Sequence, residues 1–284
     1  MKKVLAIDLD GTLLYPRNIL RFVPKRNIRF LREYIDGGGM VVLITARGLK
    51  FAKKVVRQID RPIDIIGGNG TIIIKDDAII KSDYLDNKLV AEIINDFNTN
   101  YRKAGQTVYL STPDCGLIID SKTANFITIA GTLLWFKSYI WNSESIIISH
   151  KKYINTLKNG IITKIVFFNG LKTVKRNDGA RVVDEFLKKY PTIEGSWSDY
   201  VSEFTPLHSQ KSEALAFYAK TSGLTKEDFV VVGDSGNDIP MFEAFPHSFA
   251  MSHGPLHVKQ SASFIIDYVC DLAKYKDLLE GESE

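Results

Sequence analysis

A buried strand that ends in two carboxylates opens this chain. Residues 4–7 are all apolar, which is typical of a strand covered on both faces of a parallel sheet, and Asp8 and Asp10 follow. Ligands bind at the carboxyl ends of strands in open α/β sheets, and Gly11 permits a sharp turn there. Acids buried at a strand end need a cation or a shared proton. The segment predicts a functional site, although an ordinary Asp-Gly turn is the simpler alternative for one motif alone.

A second strand with the same ending lies far along the chain. Residues 229–232 are apolar, and Asp234, Asn237 and Asp238 follow before a helical segment with Pro240 in its first turn. Two parallel strands that both end in acids can place four carboxylates in one crevice. An all-oxygen cluster suits a hard cation, and Mg²⁺ best, because Mg²⁺ often binds substrate phosphates together with carboxylates.

Two further positions are candidates for binding phosphate. The apolar strand at residues 40–44 runs into Thr45, Ala46 and Arg47 at the start of a helical pattern, where a hydroxyl and backbone amides can form an anion site. Taken alone, Thr45 is better interpreted as a helix cap and Arg47 as a residue on the helix surface. Lys211 lies near the start of a later helix, where a solvated lysine is the simpler interpretation. Both phosphate assignments therefore depend on the other motifs.

The order of hydrophobic patterns predicts an α/β fold with an inserted α+β unit. Strand and helix patterns alternate at first, and a hairpin follows around Asp76 and Asp77. Helical and strand-like patterns then mix until alternation returns at residue 209. The predicted segments are strands 3–8, 40–45, 63–66, 72–74, 79–80, 108–110, 117–119, 146–148 and 165–168, helices 25–36, 48–58 and 173–189, and strand-like segments within 192–205. The boundaries of the inserted unit are predicted near residues 83 and 206.

Composition argues against several other classes of protein. The net charge of +4 is not concentrated in a basic arm, so nucleic-acid binding has no electrostatic support. Two cysteines without motif spacing, Cys115 and Cys270, fit a reducing compartment. The acids at positions 8 and 10 interrupt the first apolar stretch too early for a signal peptide, and the apolar stretch at residues 126–136 is too short for a membrane span. We expect a cytoplasmic protein without nucleic-acid or membrane partners.

Together the motifs resemble the haloacid dehalogenase superfamily of phosphotransferases. The segment 8–12 resembles its first motif, Thr45 the second, Lys211 the third and the segment 233–238 the fourth. The first and fourth motifs are specific as a pair, and the other two gain weight from their order and spacing. Residues 67–70 resemble a feature of the Cof-like subgroup.

That subgroup carries a large class-IIB cap inserted after the second motif. The resemblance therefore implies a Rossmann-like parallel-sheet core formed by residues 1–82 and 207–284. It also implies an α+β cap at residues 83–206 that selects the substrate.

The resemblance also implies a role for each matched acid. Asp8 is the expected nucleophile, which forms an aspartyl-phosphate, and Asp10 is the expected general acid and base. Mg²⁺ is expected on the carboxylates of Asp8 and Asp234 and on the backbone carbonyl of Asp10.

The remaining matched residues are expected around the phosphate group. Thr45, Ala46, Lys211 and Asn237 are expected to bind the phosphate. Asp238 is expected to orient Lys211 or a water molecule bound to the metal.

The function implied is that of a Mg²⁺-dependent phosphatase that hydrolyses small phosphorylated metabolites, sugar phosphates above all. Three alternatives remain open: a phosphomutase of the same superfamily, a dedicated disaccharide-phosphate phosphatase, and a non-catalytic phosphate-binding module. The expected partner is a small phosphorylated metabolite, and the expected assembly state is a monomer or a weak homodimer.

One segment departs from the family pattern. Where relatives often carry Gly-Asn-Ala after Ala-Met, this chain has Ser252, His253 and Gly254. The spacing of its histidines does not suggest a metal site, so His253 is expected to be structural.

Overall fold

The computed structural model describes residues 2–16, 23–103, 106–113, 116–124, 146–169, 177–197 and 201–280. The chain divides into two compact units, Met1–Ser82 with Gln210–Glu284 and Asp83–Ser209. We call the first the core unit and the second the inserted unit. Cys115 and the apolar stretch at residues 126–136 lie outside the described residues.

The secondary-structure elements follow the predicted alternation closely. The strands are β1 (Val4–Asp8), β2 (Met40–Ile44), β3 (Asp64–Gly67), β4 (Ile72–Lys75), β5 (Ala78–Ser82), β6 (Thr107–Thr112), β7 (Gly116–Ile119), β8 (Ile146–Ile148), β9 (Lys164–Phe168), β10 (Ile193–Trp197), β11 (Val201–Pro206), β12 (Phe229–Gly233), β13 (His247–Met251) and β14 (Phe264–Ile266). The helices are α1 (Lys25–Asp36), α2 (Leu49–Ile59), α3 (Asn87–Asp96), α4 (His150–Asn159), α5 (Asn177–Lys189), α6 (Lys211–Thr221), α7 (Ile239–Ala244), α8 (Leu256–Ser261) and α9 (Lys276–Glu280).

The core unit contains an eight-stranded sheet in the order β14-β13-β12-β1-β2-β3-β4-β5. Neighbouring strands from β14 to β3 are parallel, and β4 and β5 add an antiparallel hairpin at one edge. Strand β1 lies between β12 and β2. Because these three strands are parallel, their carboxyl ends lie side by side. Asp8 lies at the end of β1, and Thr45 and Asp234 lie directly after β2 and β12, so all three residues are at this end of the strands.

Both faces of the core sheet are covered, which explains the uninterrupted apolar runs. Leu5 and Ile7 of β1 face a cluster that includes residues of α1 and α2, whereas Val4 and Ala6 face a cluster that includes residues of α6 and α7. Alternate side chains of a strand point to opposite faces, so every position from 4 to 7 is buried. The predicted α/β class is confirmed.

The inserted unit has its own six-stranded sheet in the order β10-β11-β9-β6-β7-β8, which is antiparallel except for the pair β7 and β8. Helices α3, α4 and α5 pack on one face, where Ile93, Phe167 and Phe186 belong to the same buried cluster. Residues 207–209 group with this unit because the backbone amides of His208 and Ser209 donate to the carboxylate of Glu194. The predicted inserted α+β unit is confirmed.

Within these described ranges, no helix combines the length and the apolar character that crossing a membrane would require.

Candidate active site

The carboxyl end of β1 brings the first motif to the edge of the core sheet. Asp8 is the last residue of the strand and is 4% exposed. The chain then turns through Gly11 at φ 86°, a left-handed conformation that glycine adopts without strain. A Cβ atom at Gly11 would also collide with the carboxylate of Asp234. Glycine is therefore required here both by its backbone angle and by the approach of the fourth motif.

A buried ammonium group joins the first, third and fourth motifs. Nζ of Lys211 donates to Oδ1 of Asp8 and to Oδ1 of Asp238, both at 2.7 Å. Lys211 is the first residue of α6 and is 3% exposed, so it is not the solvated lysine that its sequence context alone favours. Asp238, which is expected to orient Lys211 or a water molecule bound to the metal, contacts Lys211 directly.

Asp238 also fixes the loop that carries Asp234. Its second oxygen, Oδ2, accepts from the backbone amides of Asp234 and Ser235, both at 3.0 Å, and from the Ser235 hydroxyl at 3.2 Å. The side chain of Asp238 is fully buried. One carboxylate therefore holds both Lys211 and the backbone of the fourth motif.

The charges at this edge of the sheet are unevenly balanced. Burial raises the pKa of Asp8 well above its ordinary value, and the nearby carboxylates of Asp238 and Asp234 add to this effect against the opposing influence of Lys211. Burial alone would lower the pKa of Lys211, but the carboxylates of Asp238 and Asp8 outweigh it and raise that pKa well above its ordinary value. The site keeps its ammonium protonated and favours additional positive charge beside Asp8.

The donor set fits Mg²⁺. Oxygens of Asp8, Asp234 and Asp238 all lie within 4.8 Å of one another. Carboxylate oxygens are the ligands that a hard divalent cation prefers, and a cation here would compensate a carboxylate whose pKa is raised by burial and by its acidic neighbours. The residues therefore fit the predicted metal ion on chemical grounds.

The carboxylate of Asp10 is not part of this group. Both of its oxygens accept from Arg47, through Nε to Oδ2 and through Nη2 to Oδ1, the latter at 2.6 Å. Of the four carboxylates expected in one crevice, three lie within 4.8 Å of one another, and the fourth, that of Asp10, binds an arginine. The interpretation of Arg47 as a surface residue is wrong, because Arg47 is 8% exposed and its guanidinium lies 4.1 Å from the ring centroid of Phe51. Helix α2 begins only at Leu49, which leaves Arg47 in the turn before it.

Three of the predicted phosphate-binding residues lie in the turn before α2 and in the loop after β12. Thr45 is buried, and its hydroxyl accepts from the amide of Arg47 at 3.1 Å. Gly48, not Thr45, is the N-cap of α2, so the helix-cap interpretation does not hold. Ala46 lies between them and is partly exposed. Asn237 is exposed in the loop after β12, and its side-chain oxygen accepts from the Ser235 hydroxyl at 2.6 Å.

Sequence reasoning missed two further contacts of Asp234. The Thr12 hydroxyl donates to Oδ1 at 3.3 Å, and Nε2 of His253 lies 3.8 Å from Oδ2. Thr12 belongs to the first motif, so the motif was the signal that could have indicated its contact with Asp234. His253 lies in the segment that departs from the family pattern, and its spacing gave no indication of this position.

Comparison with known proteins places this arrangement in a family. The sequence model of haloacid dehalogenase-like hydrolases matches residues 5–274. A protein of Mycoplasma genitalium, provisionally named a phosphatase, is 30% identical over 151 residues, which are 52% of this chain and 51% of that protein. The match thus spans about half the length of that relative.

Two other comparisons extend over nearly the whole chain. The 5-amino-6-(5-phospho-D-ribitylamino)uracil phosphatase YwtE of Bacillus subtilis is 25% identical over 277 residues, which cover 93% of this chain and 92% of that enzyme. The crystal structure of a haloacid dehalogenase-like hydrolase from Bacteroides thetaiotaomicron has a TM-score of 0.77 at 19% identity and covers 98% of this chain and 100% of its own. The resemblance predicted from the motifs is confirmed: this chain belongs to the haloacid dehalogenase-like hydrolases and is an enzyme of the phosphatase type.

Proposed function

We propose that this protein is a Mg²⁺-dependent phosphatase of small phosphorylated metabolites, with sugar phosphates as the preferred class. The observation that carries the proposal is the position of Asp8, which lies buried at a strand end, 2.7 Å from the ammonium of Lys211, with the carboxylate of Asp234 close by. A carboxylate held in this way can attack phosphorus while neighbouring groups bind the phosphate oxygens. The name of the Bacillus subtilis relative supports a phosphorylated small metabolite as the substrate.

The first chemical step is assigned to Asp8 and Asp10. A carboxylate oxygen of Asp8 forms a bond to phosphorus as the bond from phosphorus to the leaving oxygen breaks, and Asp10 protonates that oxygen. Arg47 binds both oxygens of Asp10, so this ion pair has to loosen before Asp10 reaches the substrate.

The second step regenerates the enzyme. Water attacks the phosphorus of the aspartyl-phosphate, Asp10 takes the proton of that water, and inorganic phosphate leaves with Asp8 restored. The carboxylates of Asp8 and Asp234 and the backbone carbonyl of Asp10 would hold Mg²⁺, whose positive charge would offset the repulsion between the nucleophile and the phosphate.

The phosphate oxygens are assigned to groups around Asp8. Lys211 neutralises their charge, and its position is fixed by Asp238. The hydroxyl of Thr45, the amide of Ala46 and the side chain of Asn237 complete the phosphate-binding set.

The proposal is tested by phosphate release from a panel of phosphorylated metabolites that includes sugar phosphates and 5-amino-6-(5-phospho-D-ribitylamino)uracil. We expect activity that disappears with excess chelator and returns with Mg²⁺. Asp8→Asn should release no phosphate, whereas the exposed Asp277→Asn, a matched control on α9, should behave as wild type. A denaturing quench followed by mass spectrometry should find one phosphoryl group on Asp8 during turnover.

Three results would contradict the proposal. Full activity in chelator with no bound metal would exclude the metal site. Turnover by Asp8→Asn would exclude the nucleophile. An isomerised product without free phosphate would identify a phosphomutase instead.

A further inference from the structure

Four side chains from separate segments of the core unit form a stack that ends beside Asp234. The guanidinium of Arg26 lies 3.1 Å from the ring centroid of Tyr268, and the rings of Tyr268 and Tyr15 are 5.9 Å apart. The rings of Tyr15 and His253 are 3.8 Å apart, with an angle of 15° between their planes. We call these four residues the aromatic column. Stacking of this kind restricts the rotation of each ring, so the orientation of His253 is set by Tyr15.

The His253 end of the column faces one oxygen of the Asp234 carboxylate. Nε2 of His253 is 3.8 Å from Oδ2, whereas Thr12 donates to the other oxygen, Oδ1. The loop that carries His253 also lies tightly against Asp234, because a Cβ atom at Gly254 would come within 2.8 Å of the backbone oxygen of Asp234. The carboxylate is therefore flanked on one side by the turn after β1 and on the other by the loop after β13.

We propose that His253 is a positioning residue for the carboxylate of Asp234 and that the aromatic column holds its imidazole in place. The inference rests on the proposed function, in which Asp234 is a metal ligand. A ligand whose rotation is restricted before the metal arrives loses less conformational entropy on binding, which increases the affinity for the metal.

The distances assign His253 to the carboxylate rather than to the metal. A separation of 3.8 Å is too long for a direct hydrogen bond, so His253 acts on Asp234 by electrostatic attraction, which favours the rotamer that keeps Oδ2 close to Nε2. The group of ligand atoms around Asp234 that lie within 4.8 Å of one another consists of Asp8, Asp234 and Asp238, without His253. His253 lies in the segment Ser252 to Gly254, which departs from the family pattern expected from the resemblance.

Two substitutions distinguish the effect of the Nε2 atom of His253 from the effect of its stacking on Tyr15. His253→Phe keeps an aromatic ring against Tyr15 but removes Nε2, whereas His253→Ala removes both. We expect both variants to bind Mg²⁺ about 10-fold more weakly, measured by isothermal titration calorimetry on metal-free protein. The Mg²⁺ concentration for half-maximal activity should rise in parallel, and kcat at saturating Mg²⁺ should stay within about twofold of wild type.

Tyr15 provides a second pair of variants. Tyr15→Leu removes the stacked ring and should weaken Mg²⁺ binding, whereas Tyr15→Phe keeps the ring and should bind as wild type. His257→Ala, an exposed histidine on α8, is the control for loss of a histidine. Thermal melting of metal-free protein verifies that each variant is folded, and His253→Phe keeps the test valid if Tyr15→Leu does not fold.

The outcomes distinguish this inference from the proposed function. Wild-type affinity in both His253 variants would overturn the inference, and so would weak binding by His253→Ala with wild-type binding by His253→Phe, since the effect would then come from packing alone. Asp234→Asn should lose Mg²⁺ binding. If Asp234→Asn bound Mg²⁺ as wild type, the metal site itself would be wrong. If it lost binding while the His253 variants did not, only the inference would fail.

Discussion

Replacing Lys211 by methionine should destabilise the metal-free protein strongly. Methionine has a similar shape but no charge, and the Lys211 side chain is 2% exposed with two ion pairs at 2.7 Å. Removing one partner of a buried ion pair costs about 3–5 kcal/mol, because the remaining charges stay buried without compensation. For a unit of roughly 150 residues, this corresponds to a decrease in Tm of about 6–20 °C.

The size of this effect should depend on pH. The pKa of Asp8 is raised in the folded protein, so the native state binds more protons than the unfolded chain, and stability falls as the pH rises from the ordinary aspartate range through the raised pKa. The ammonium of Lys211 opposes this loss of stability by compensating the ionised Asp8. Because the pKa of Lys211 is itself raised, its contribution to stability is complete at neutral pH and is lost only in strongly alkaline solution. The difference between wild type and Lys211→Met should therefore be larger at pH 7 than at pH 4.

Circular dichroism melts in chelator at several pH values measure this difference. Lys220→Met, at an exposed position in the last turn of the same helix, is the matched control and should change Tm little. Equal shifts for the two lysine variants, or a shift for Lys211→Met that did not grow from pH 4 to pH 7, would refute the electrostatic account. Addition of Mg²⁺ should recover part of the lost stability, because a bound cation compensates the same carboxylates.

Three further predictions concern catalysis, specificity and the inserted unit. Asp10→Asn should slow steady-state phosphate release by roughly 10²–10⁴-fold, the usual effect of losing a general acid and base, and wild-type rates would contradict its role. Replacing residues 83–209 by a short linker should reduce kcat/KM on metabolites far more than on a small activated phosphate, because the groups assigned to phosphoryl transfer lie in the core unit. If the folded variant kept its preference among metabolites, specificity would lie in the core unit instead. Asp96→Ala should destabilise the inserted unit by about 2–3 kcal/mol at pH 7, because Lys189 and other donors bind this buried carboxylate. Burial raises the pKa of Asp96, but these hydrogen bonds outweigh burial and lower that pKa overall. In denaturant melts, the loss of unfolding free energy caused by Asp96→Ala should therefore shrink as the pH falls below about 4. A loss that did not depend on pH would exclude the ionic contribution.

Local sequence patterns were sufficient for most of the fold. Helix α1 has the predicted bounds, because a stripe with Phe30, Leu31 and Tyr34 repeats at helical spacing between Pro24 and Gly37. Strands β1 and β12 could be predicted from their unbroken apolar runs. Those runs exist because both faces of the core sheet are covered. These features depend on neighbours within a few residues, so the sequence alone contains them.

The sequence also determined which residues gather at the site. Asp8 is the last residue of one buried strand and Asp234 follows directly after another, and parallel strands place their carboxyl ends on the same side of the sheet. Strand ends are fixed by the chain itself, so the motifs identify the residues without any knowledge of their side-chain contacts.

Only the tertiary structure decided how those side chains pair. Asp8 binds Lys211, whereas Asp10, two residues away, binds Arg47, and His253 approaches Asp234 through a stack on Tyr15. The partners are far apart in the sequence, and each contact depends on side-chain rotamers and on loops whose course is set by packing. Charge pairing in a buried site is decided by distances of a few ångströms, and spacing along the chain does not encode those distances.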